Sequence, residues 1–481
     1  MRTDDDALST PQHLLHWARV APHTVAVIES DRTYSYGDLA HCVVQYAATL
    51  RVSGVGPGML VGLLCGHRYL HLALILACDV IGATSVSLSG VDVDDNDEII
   101  GRCDFLCLYG SAPDRIGSAG LLRLTQDVID RIAQTTVTAD ALGVLDTRRG
   151  DDDVVRLVRT SGSTGRAKVM PLTGANLRRM IRRTQALGDT LGYHRHFLNL
   201  YGFTLRSAFI ECAIALHAGC TIVSSHLETV FQDLDRFPST RMTLVPRDAA
   251  RMLDARPPDW TGPRRCKLYV SGGTMPAEVF RRLTQEIVTD LHFVYGTIET
   301  HWLTRLDGNG NGDIMDDVEI RIVDDAGNPL PQGSTGLIEA RTPLMVDGYL
   351  WNPTATAAAF TDGWYRTNDV GIMPAPGNLI VRGRADNMLN IGGVKVPPEP
   401  LEARIRSLDG VRDVVLLAEP GTLGVNGLTV VLEPEPTGLA RTVGDGLAAI
   451  LAPVAQSFRV RVEPSLPRTL TGKVRRDAIR A

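Results

Sequence analysis

Short apolar runs alternate with helix-length stretches through the first 300 residues, and this alternation constrains the fold more than any other feature of the chain. Thr33 to Ser35 leads into a helical pattern over 36–50, and the turn Gly54-Val55-Gly56-Pro57-Gly58 follows. An apolar strand is predicted over 59–65 and a second helix over 69–82. A strand followed by a helix and another strand returns in parallel, so the rhythm predicts doubly wound α/β sheets. Further strands are predicted over 154–158, 221–224, 242–245, 267–270 and 292–295. From Asp307 the texture changes. Glycines and prolines now separate short alternating runs such as 318–323 and 337–342, which predicts a β-rich, barrel-like subdomain over about 307–384. After Gly383-Arg384-Ala385-Asp386 come a helix over 399–408, strands over 411–418 and 428–433, a helix over 443–451 and a strand over 458–462. The expected organisation is a large N-terminal domain, 1–384, and a small α+β C-terminal domain, 385–481.

With 481 residues, 44% of them hydrophobic and 22% charged, the chain can bury a large core, and bulk disorder is excluded. Its net charge of −6 offers no field to attract nucleic acid, so any phosphate binding must be local. The acidic start, Met1-Arg2-Thr3-Asp4-Asp5-Asp6, lacks the basic end of a secretory signal. The densest apolar run, 72–78, stops at Asp79, well short of the ~20 residues that span a bilayer. Eight cysteines without a C-x-x-C pair fit a reduced cytoplasm.

Directly after the strand over 154–158 stands Arg159-Thr160-Ser161-Gly162-Ser163-Thr164-Gly165-Arg166-Ala167-Lys168. Glycines let backbone N–H groups approach an anion, the hydroxyls of Thr160, Ser161, Ser163 and Thr164 donate further bonds, and Lys168 adds a point charge. That is the chemistry of a polyphosphate cradle, although the spacing is not that of a P-loop.

Six further segments follow in order. They are Ser271-Gly272-Gly273-Thr274-Met275-Pro276, Tyr295-Gly296-Thr297-Ile298-Glu299, and the stretch 333–353 with Gly336, Met345, Gly348 and Tyr349. Then come Trp364-Tyr365-Arg366-Thr367-Asn368-Asp369, Gly383-Arg384-Ala385-Asp386 with Ile391-Gly392-Gly393-Val394-Lys395-Val396, and Leu466-Pro467-Arg468-Thr469-Leu470-Thr471-Gly472-Lys473. With the loop 160–168 they resemble the motifs of the adenylate-forming, AMP-binding superfamily of acyl-CoA synthetases, stand-alone adenylation enzymes and luciferases, from about Tyr34 to Arg476.

The resemblance implies a role for each segment. Thr160, Ser161, Gly162, Ser163, Thr164, Gly165 and Lys168 would hold the phosphates of ATP. Ser271, Gly272 and Gly273 would lie on the adenine, and Tyr295, followed by Gly296 and Thr297, would stack on it. Glu299 would help hold magnesium, and Asp369 would take the ribose hydroxyls with Arg384 beside it. Asp386 would be the hinge of a rotating lid, Gly392, Gly393 and Lys395 the loop used for thiolation, and Lys473 the catalytic lysine of adenylation.

Several positions depart from the family pattern. Ile298 replaces a hydroxyl residue, for which Thr297 or Thr300 would have to compensate. Asn368 replaces a glycine, and Leu337-Ile338-Glu339 leaves the glutamate without an assigned role. Thr204 stands where amino-acid-activating relatives carry an aspartate, which disfavours an α-amino-acid substrate. Arg206 and Glu211 would then face an acyl pocket, or else pair with their neighbours. His217, His226 and His301 lack metal-ligand spacing and read as ordinary histidines.

The implied activity is ATP- and magnesium-dependent conversion of a small carboxylic acid to acyl-AMP, with release of pyrophosphate, then transfer to a thiol. CoA or the phosphopantetheine of an acyl or peptidyl carrier protein would accept the acyl group. Two alternatives stay open: transfer to an amine or other non-thiol nucleophile, and a non-catalytic nucleotide-binding relative. No nucleic acid or membrane partner is expected.

Overall fold

The computed structural model describes residues 8–89, 98–110, 120–160, 168–188, 195–391, 394–419, 427–455, 457–468 and 474–479. Two sheets carry most of the parallel strands. In the first, Gly120–Leu124, Phe105–Tyr109, Leu60–Leu64, Thr84–Ser87 and Val154–Arg159 run parallel in that order, and Val169–Thr173 pairs antiparallel at the edge. In the second, the parallel order is Val25–Glu29, Thr221–Ser224, His196–Asn199, Thr240–Leu244, Arg264–Ser271 and Val288–Thr297.

One apolar core joins the two sheets. It unites Leu63 and Val155 of the first sheet, Val27, Phe197 and Ile222 of the second, and residues of the helices Tyr36–Val52, Arg68–Ile81 and Arg206–His217. The helix Arg68–Ile81 is buried from Tyr69 through Ile81, as an all-round apolar helix between layers must be. Gly82 ends it at φ 83°, a left-handed conformation that glycine adopts without strain. Ser35 and Asp38 form a capping box that starts Tyr36–Val52.

Asp79 is the one acidic residue in this helix. It is buried, its Oδ1 lies 3.8 Å from Arg149 Nη1, and burial pushes its carboxyl up to about 6, with Arg149 opposing the rise. A carboxyl whose folded pKa lies above its unfolded value favours folding when protonated, so its cost accrues as pH climbs from about 4 to about 6 and persists above. Asp79→Asn should therefore stabilise the protein by about 2 kcal/mol at pH 8 and by much less at pH 4. Arg149 keeps Asp153 and the carbonyls of Ala83 and Val154. Chemical denaturation of both forms across that range checks it.

The β-rich segment expected after Asp307 is present, and its strands extend the second sheet. Val288–Thr297 pairs antiparallel with His301–Leu306, and Asn311–Ile314, Asn378–Arg384, Trp364–Ile372, Thr335–Arg341 and Glu319–Val323 follow, all antiparallel, in an open path. Gly296 permits the turn into this run. A Cβ there would stand 2.1 Å from the His301 carbonyl oxygen, at a register shift in the pairing.

Beyond it, Val411–Glu419 and Gly427–Pro434 pair antiparallel, with Phe458–Val462 parallel to the latter. The helices Pro398–Ile405 and Val443–Leu451 share a separate core with this sheet, through Leu401, Ile405, Val414, Val430 and Leu447. No helix among the described residues is long and apolar enough to cross a membrane.

Candidate active site

The candidate loops share one structural position. Val154–Arg159 ends at the loop 160–168, His196–Asn199 at 200–206, Arg264–Ser271 at Gly272-Gly273, and Val288–Thr297 at Ile298-Glu299. Ligands of parallel α/β sheets bind outside the carboxyl ends of the strands, where loops from several strands converge. The loop 200–206 is held by two arginines. Arg68 donates to the carbonyls of Asn199 at 2.6 Å, Ser225 at 2.9 Å and Leu200 at 3.1 Å. Arg156, in the strand before the loop 160–168, donates to Phe203 O and Ser87 Oγ, both at 2.6 Å. Sequence reasoning gave neither arginine a role, because their carbonyl partners come from distant parts of the chain.

The base of the loop 160–168 is closed by Thr160 N donating to Lys168 O at 2.9 Å and Lys168 N donating to Thr160 Oγ1 at 3.2 Å. Lys168 Nζ lies 4.5 Å above the Tyr349 ring, and the Tyr349 hydroxyl donates to Glu299 Oε1 at 2.9 Å. One tyrosine thus joins the candidate phosphate lysine to the candidate metal carboxylate. Glu299 is 7% exposed. Burial and the Glu299 charge push the hydroxyls of Tyr349 and Tyr365 upward, so both remain protonated donors.

A second group lies around Asp369, 8% exposed. Its Oδ2 accepts from the Tyr295 hydroxyl at 2.7 Å, its N–H donates to Thr367 Oγ1 at 3.0 Å, and Arg384 Nη1 is 3.5 Å from Oδ1. Asn368 adopts φ 61°, the conformation the glycine replacement requires. Arg384 also donates from Nε and Nη2 to the two oxygens of Asp386, each at 3.1 Å. The candidate hinge and ribose aspartates therefore share one guanidinium.

Gly272 takes φ 92° at the end of its strand. Thr297 and Thr300 face each other, hydroxyl to hydroxyl at 3.0 Å, and Thr300 is fully buried and also donates to His301 O. Thr300 therefore cannot replace the hydroxyl missing at Ile298, whose side chain packs against the main core. Glu339 is buried between Arg321 and Arg366, a pairing within the sheet.

Ser161, Gly162, Ser163, Thr164, Gly165, Gly392, Gly393 and Lys473 lie outside the described residues, as does the side chain of Lys395. The backbone of Lys395 pairs with Asn390 in the hairpin of Leu389–Ile391 and Val394–Val396. The segment that carries Lys473 is closed by a bridge between Arg468 and Val474 and by Arg475 N donating to Pro467 O at 2.8 Å.

A family model described as "AMP-binding enzyme" matches residues 14–350. The chain belongs to the AMP-binding enzyme family. It is similar to the 2-hydroxy-7-methoxy-5-methyl-1-naphthoate–CoA ligase of Streptomyces carzinostaticus, at 27% identity over 98% of this chain and 92% of that one. It is also similar to a feruloyl-CoA synthase of an Amycolatopsis species, at 26% identity over 96% of each chain. Among solved structures it resembles ATP-bound MatB of Rhodopseudomonas palustris, with a TM-score of 0.81, 22% identity and coverage of 97% and 98%. It likewise resembles the o-succinylbenzoate CoA synthetase MenE of Bacillus subtilis with ATP and magnesium, with a TM-score of 0.82, 19% identity and coverage of 98% and 99%. As a member of this family the chain is an ATP-dependent, AMP-forming ligase that activates an acid.

In this AMP-binding enzyme the residues expected at an acyl pocket separate. Glu211 is buried, and Arg241 grips both its oxygens, Nε to Oε2 at 2.7 Å and Nη2 to Oε1 at 3.0 Å. A carboxylate so occupied is a structural partner, which corrects the expectation that it faces the acyl group. Thr204 is partly buried in the loop that Arg156 holds. Arg206 opens the helix Arg206–His217, with Met180 Sδ 3.5 Å from its Nη1. His301, expected to be ordinary, is buried at φ 64° and its Nδ1 has no hydrogen-bond partner among the described residues.

Proposed function

We propose that the enzyme couples ATP cleavage to the activation of a small carboxylic acid as acyl-AMP and then passes the acyl group to the thiol of CoA. The reading is carried by the convergence of the Lys168–Tyr349–Glu299 chain and the Tyr295–Asp369–Arg384 cluster beside the carboxyl ends of parallel strands. In the first half-reaction an oxygen of the acid attacks the α-phosphorus, an acyl–O–P bond forms, and the bond to pyrophosphate breaks with its electron pair leaving on the pyrophosphate. Like charges meet in that step, and preorganised cations offset them. Lys168 holds the phosphates in line from the base of the loop 160–168, and Lys473 approaches from the C-terminal domain. In the second, the thiol sulfur displaces AMP from the acyl carbon.

The donor set fits magnesium, which takes oxygen ligands and keeps several waters. Among the described residues no group of three or more His, Cys, Asp or Glu stands together, and Glu299 is a single buried carboxylate whose Oε1 is oriented by Tyr349. When bound, the ion would neutralise phosphate charge. Domain rotation about Asp386 would exchange the Lys473 loop for the Gly392-Gly393 and Lys395 loop between half-reactions. A carrier-protein phosphopantetheine is the second acceptor this chemistry admits. Eight free cysteines, six of them buried, support a reduced cytoplasm as the compartment.

Asp369 supplies a nucleotide test. A buried acceptor left without its ribose hydroxyl costs about 1–3 kcal/mol, so kcat/KM for 2′-deoxy-ATP should fall about tenfold or more below that for ATP. Asp369→Ala should remove the difference. Equal use of both nucleotides by the native enzyme would free Asp369 of this role. The overall reading is tested by incubating enzyme, acid, ATP, magnesium and CoA and measuring products by mass spectrometry. Equimolar acyl-CoA and AMP are expected, whereas ADP, or AMP without a thioester even with a carrier protein supplied, contradicts it.

A further inference from the structure

Among the described residues, the arginines around the acyl side are matched, with one exception. Arg241 holds Glu211, Arg183 holds Asp317 at 2.6 Å and Trp302 O at 2.8 Å, Arg156 holds serine hydroxyls and Phe203 O, and Arg68 holds three carbonyls. Among the described residues Arg206 has only the Met180 sulfur, a weak acceptor, at 3.5 Å, and no carboxylate within ion-pair distance. Burial pulls its pKa down to about 10, with the charge of Glu299 opposing, so the guanidinium stays charged at neutral pH. The Arg183–Asp317 and Arg241–Glu211 pairs are neutral, and magnesium would take up the Glu299 charge. Of these arginines, Arg206 alone then has neither a carboxylate nor an oxygen acceptor among the described residues.

His301 adds a second group without a partner. It is 4% exposed, its Nδ1 makes no hydrogen bond among the described residues, and its backbone sits at φ 64°, a conformation that is strained for a non-glycine residue and persists where the surroundings hold it. The Arg183 guanidinium holds the carbonyl of the next residue, Trp302, and Thr300 Oγ1 donates to His301 O, so the strained turn is fixed from both sides. Met180, which Arg206 touches, and Arg183, which holds Trp302 O, stand about one turn apart on the helix Gly174–Gly188, so one helix face borders both Arg206 and the His301 turn. A partly buried guanidinium with only a sulfur contact and a buried ring nitrogen with no hydrogen-bond partner, both among the described residues, suit an anion with acceptor oxygens. The guanidinium fork suits a carboxylate in particular.

We propose that Arg206 and His301 form a subsite for a second carboxylate on the acyl substrate, so that the enzyme prefers a dicarboxylic acid and activates its other end. This rests on the adenylation reading above. The test is acid-dependent exchange of labelled pyrophosphate into ATP. Pairs of acids share a skeleton and differ only in the second carboxylate: C3 to C8 aliphatic acids, and benzoic against the benzenedicarboxylic acids. The native enzyme should favour at least one diacid over its monoacid at least tenfold in kcat/KM, chiefly through KM. Arg206→Met should lower that ratio at least 30-fold, Arg206→Lys should restore part of it, and His301→Asn, compatible with the left-handed backbone, should lower it less. Exchange with monoacids alone, or equal loss with every acid in Arg206→Met, would make Arg206 a mere counter-charge to Glu299 and overturn the subsite while leaving adenylation intact. Absence of exchange with every acid would overturn the adenylation reading and the subsite together.

Discussion

Lys473→Ala lowers acyl-adenylate formation by at least about 100-fold and spares transfer of preformed acyl-AMP to the thiol. The magnitude, about 3 kcal/mol, is that of losing one preorganised cationic contact to charge that develops in the transition state. The asymmetry follows from place. Arg468 ties the segment leading to Lys473 into the small sheet through Asp413 and Glu433, both at 2.7 Å, and the Arg468–Val474 bridge closes it. On the proposed reading, Lys473 would reach the phosphates only when the C-terminal domain is placed for adenylation. Rapid-quench measurement of acyl-AMP, run beside thioester formation from synthetic acyl-AMP, separates the half-reactions. Equal loss in both would remove Lys473 from its adenylation role.

Asp386→Pro retains one half-reaction within a few-fold and loses the other by at least about 100-fold. Asp386 lies in the 3₁₀ turn Ala385–Asn387, and proline fixes φ at about −65° and removes the N–H, so the substitution freezes the backbone at this residue. A lid that must swing through this residue is then held in one orientation. The change also frees Arg384 from its double contact with the carboxylate. Asp386→Ala is the control for that loss: it removes the carboxylate, leaves φ free, and should keep both half-reactions. Unimpaired thioester synthesis by the proline variant would show that residue 386 is not a pivot.

Much of the architecture was legible because local pattern and tertiary burial agree. The all-apolar run near 72–78 became a helix buried on every side, and the apolar strand before Thr160 became a parallel strand ending at the hydroxyl- and glycine-rich loop. The helix over 443–451 and the strands around it kept their predicted limits closely for the same reason. What failed depends on partners distant in sequence. Alternation after Asp307 identifies strands, but not that the close approach at Gly296 lets them extend the second sheet. Glu211 looks like a free acid on a helix until Arg241 is beside it, and the links of Tyr349 to Glu299 and of Tyr295 to Asp369 cross 50 and 74 residues. His301 carries no motif at all. Its unusual features, a left-handed backbone and an unpartnered nitrogen, exist only in the folded chain.

The central claim is that acid activation through an adenylate is complete before any thiol is present. With enzyme, ATP, magnesium and a panel of mono- and dicarboxylic acids, but no CoA or carrier protein, labelled pyrophosphate should pass into ATP in an acid-dependent manner, and Glu299→Gln should slow that exchange. Exchange that is independent of acid, or that begins only once a thiol is added, would contradict the account.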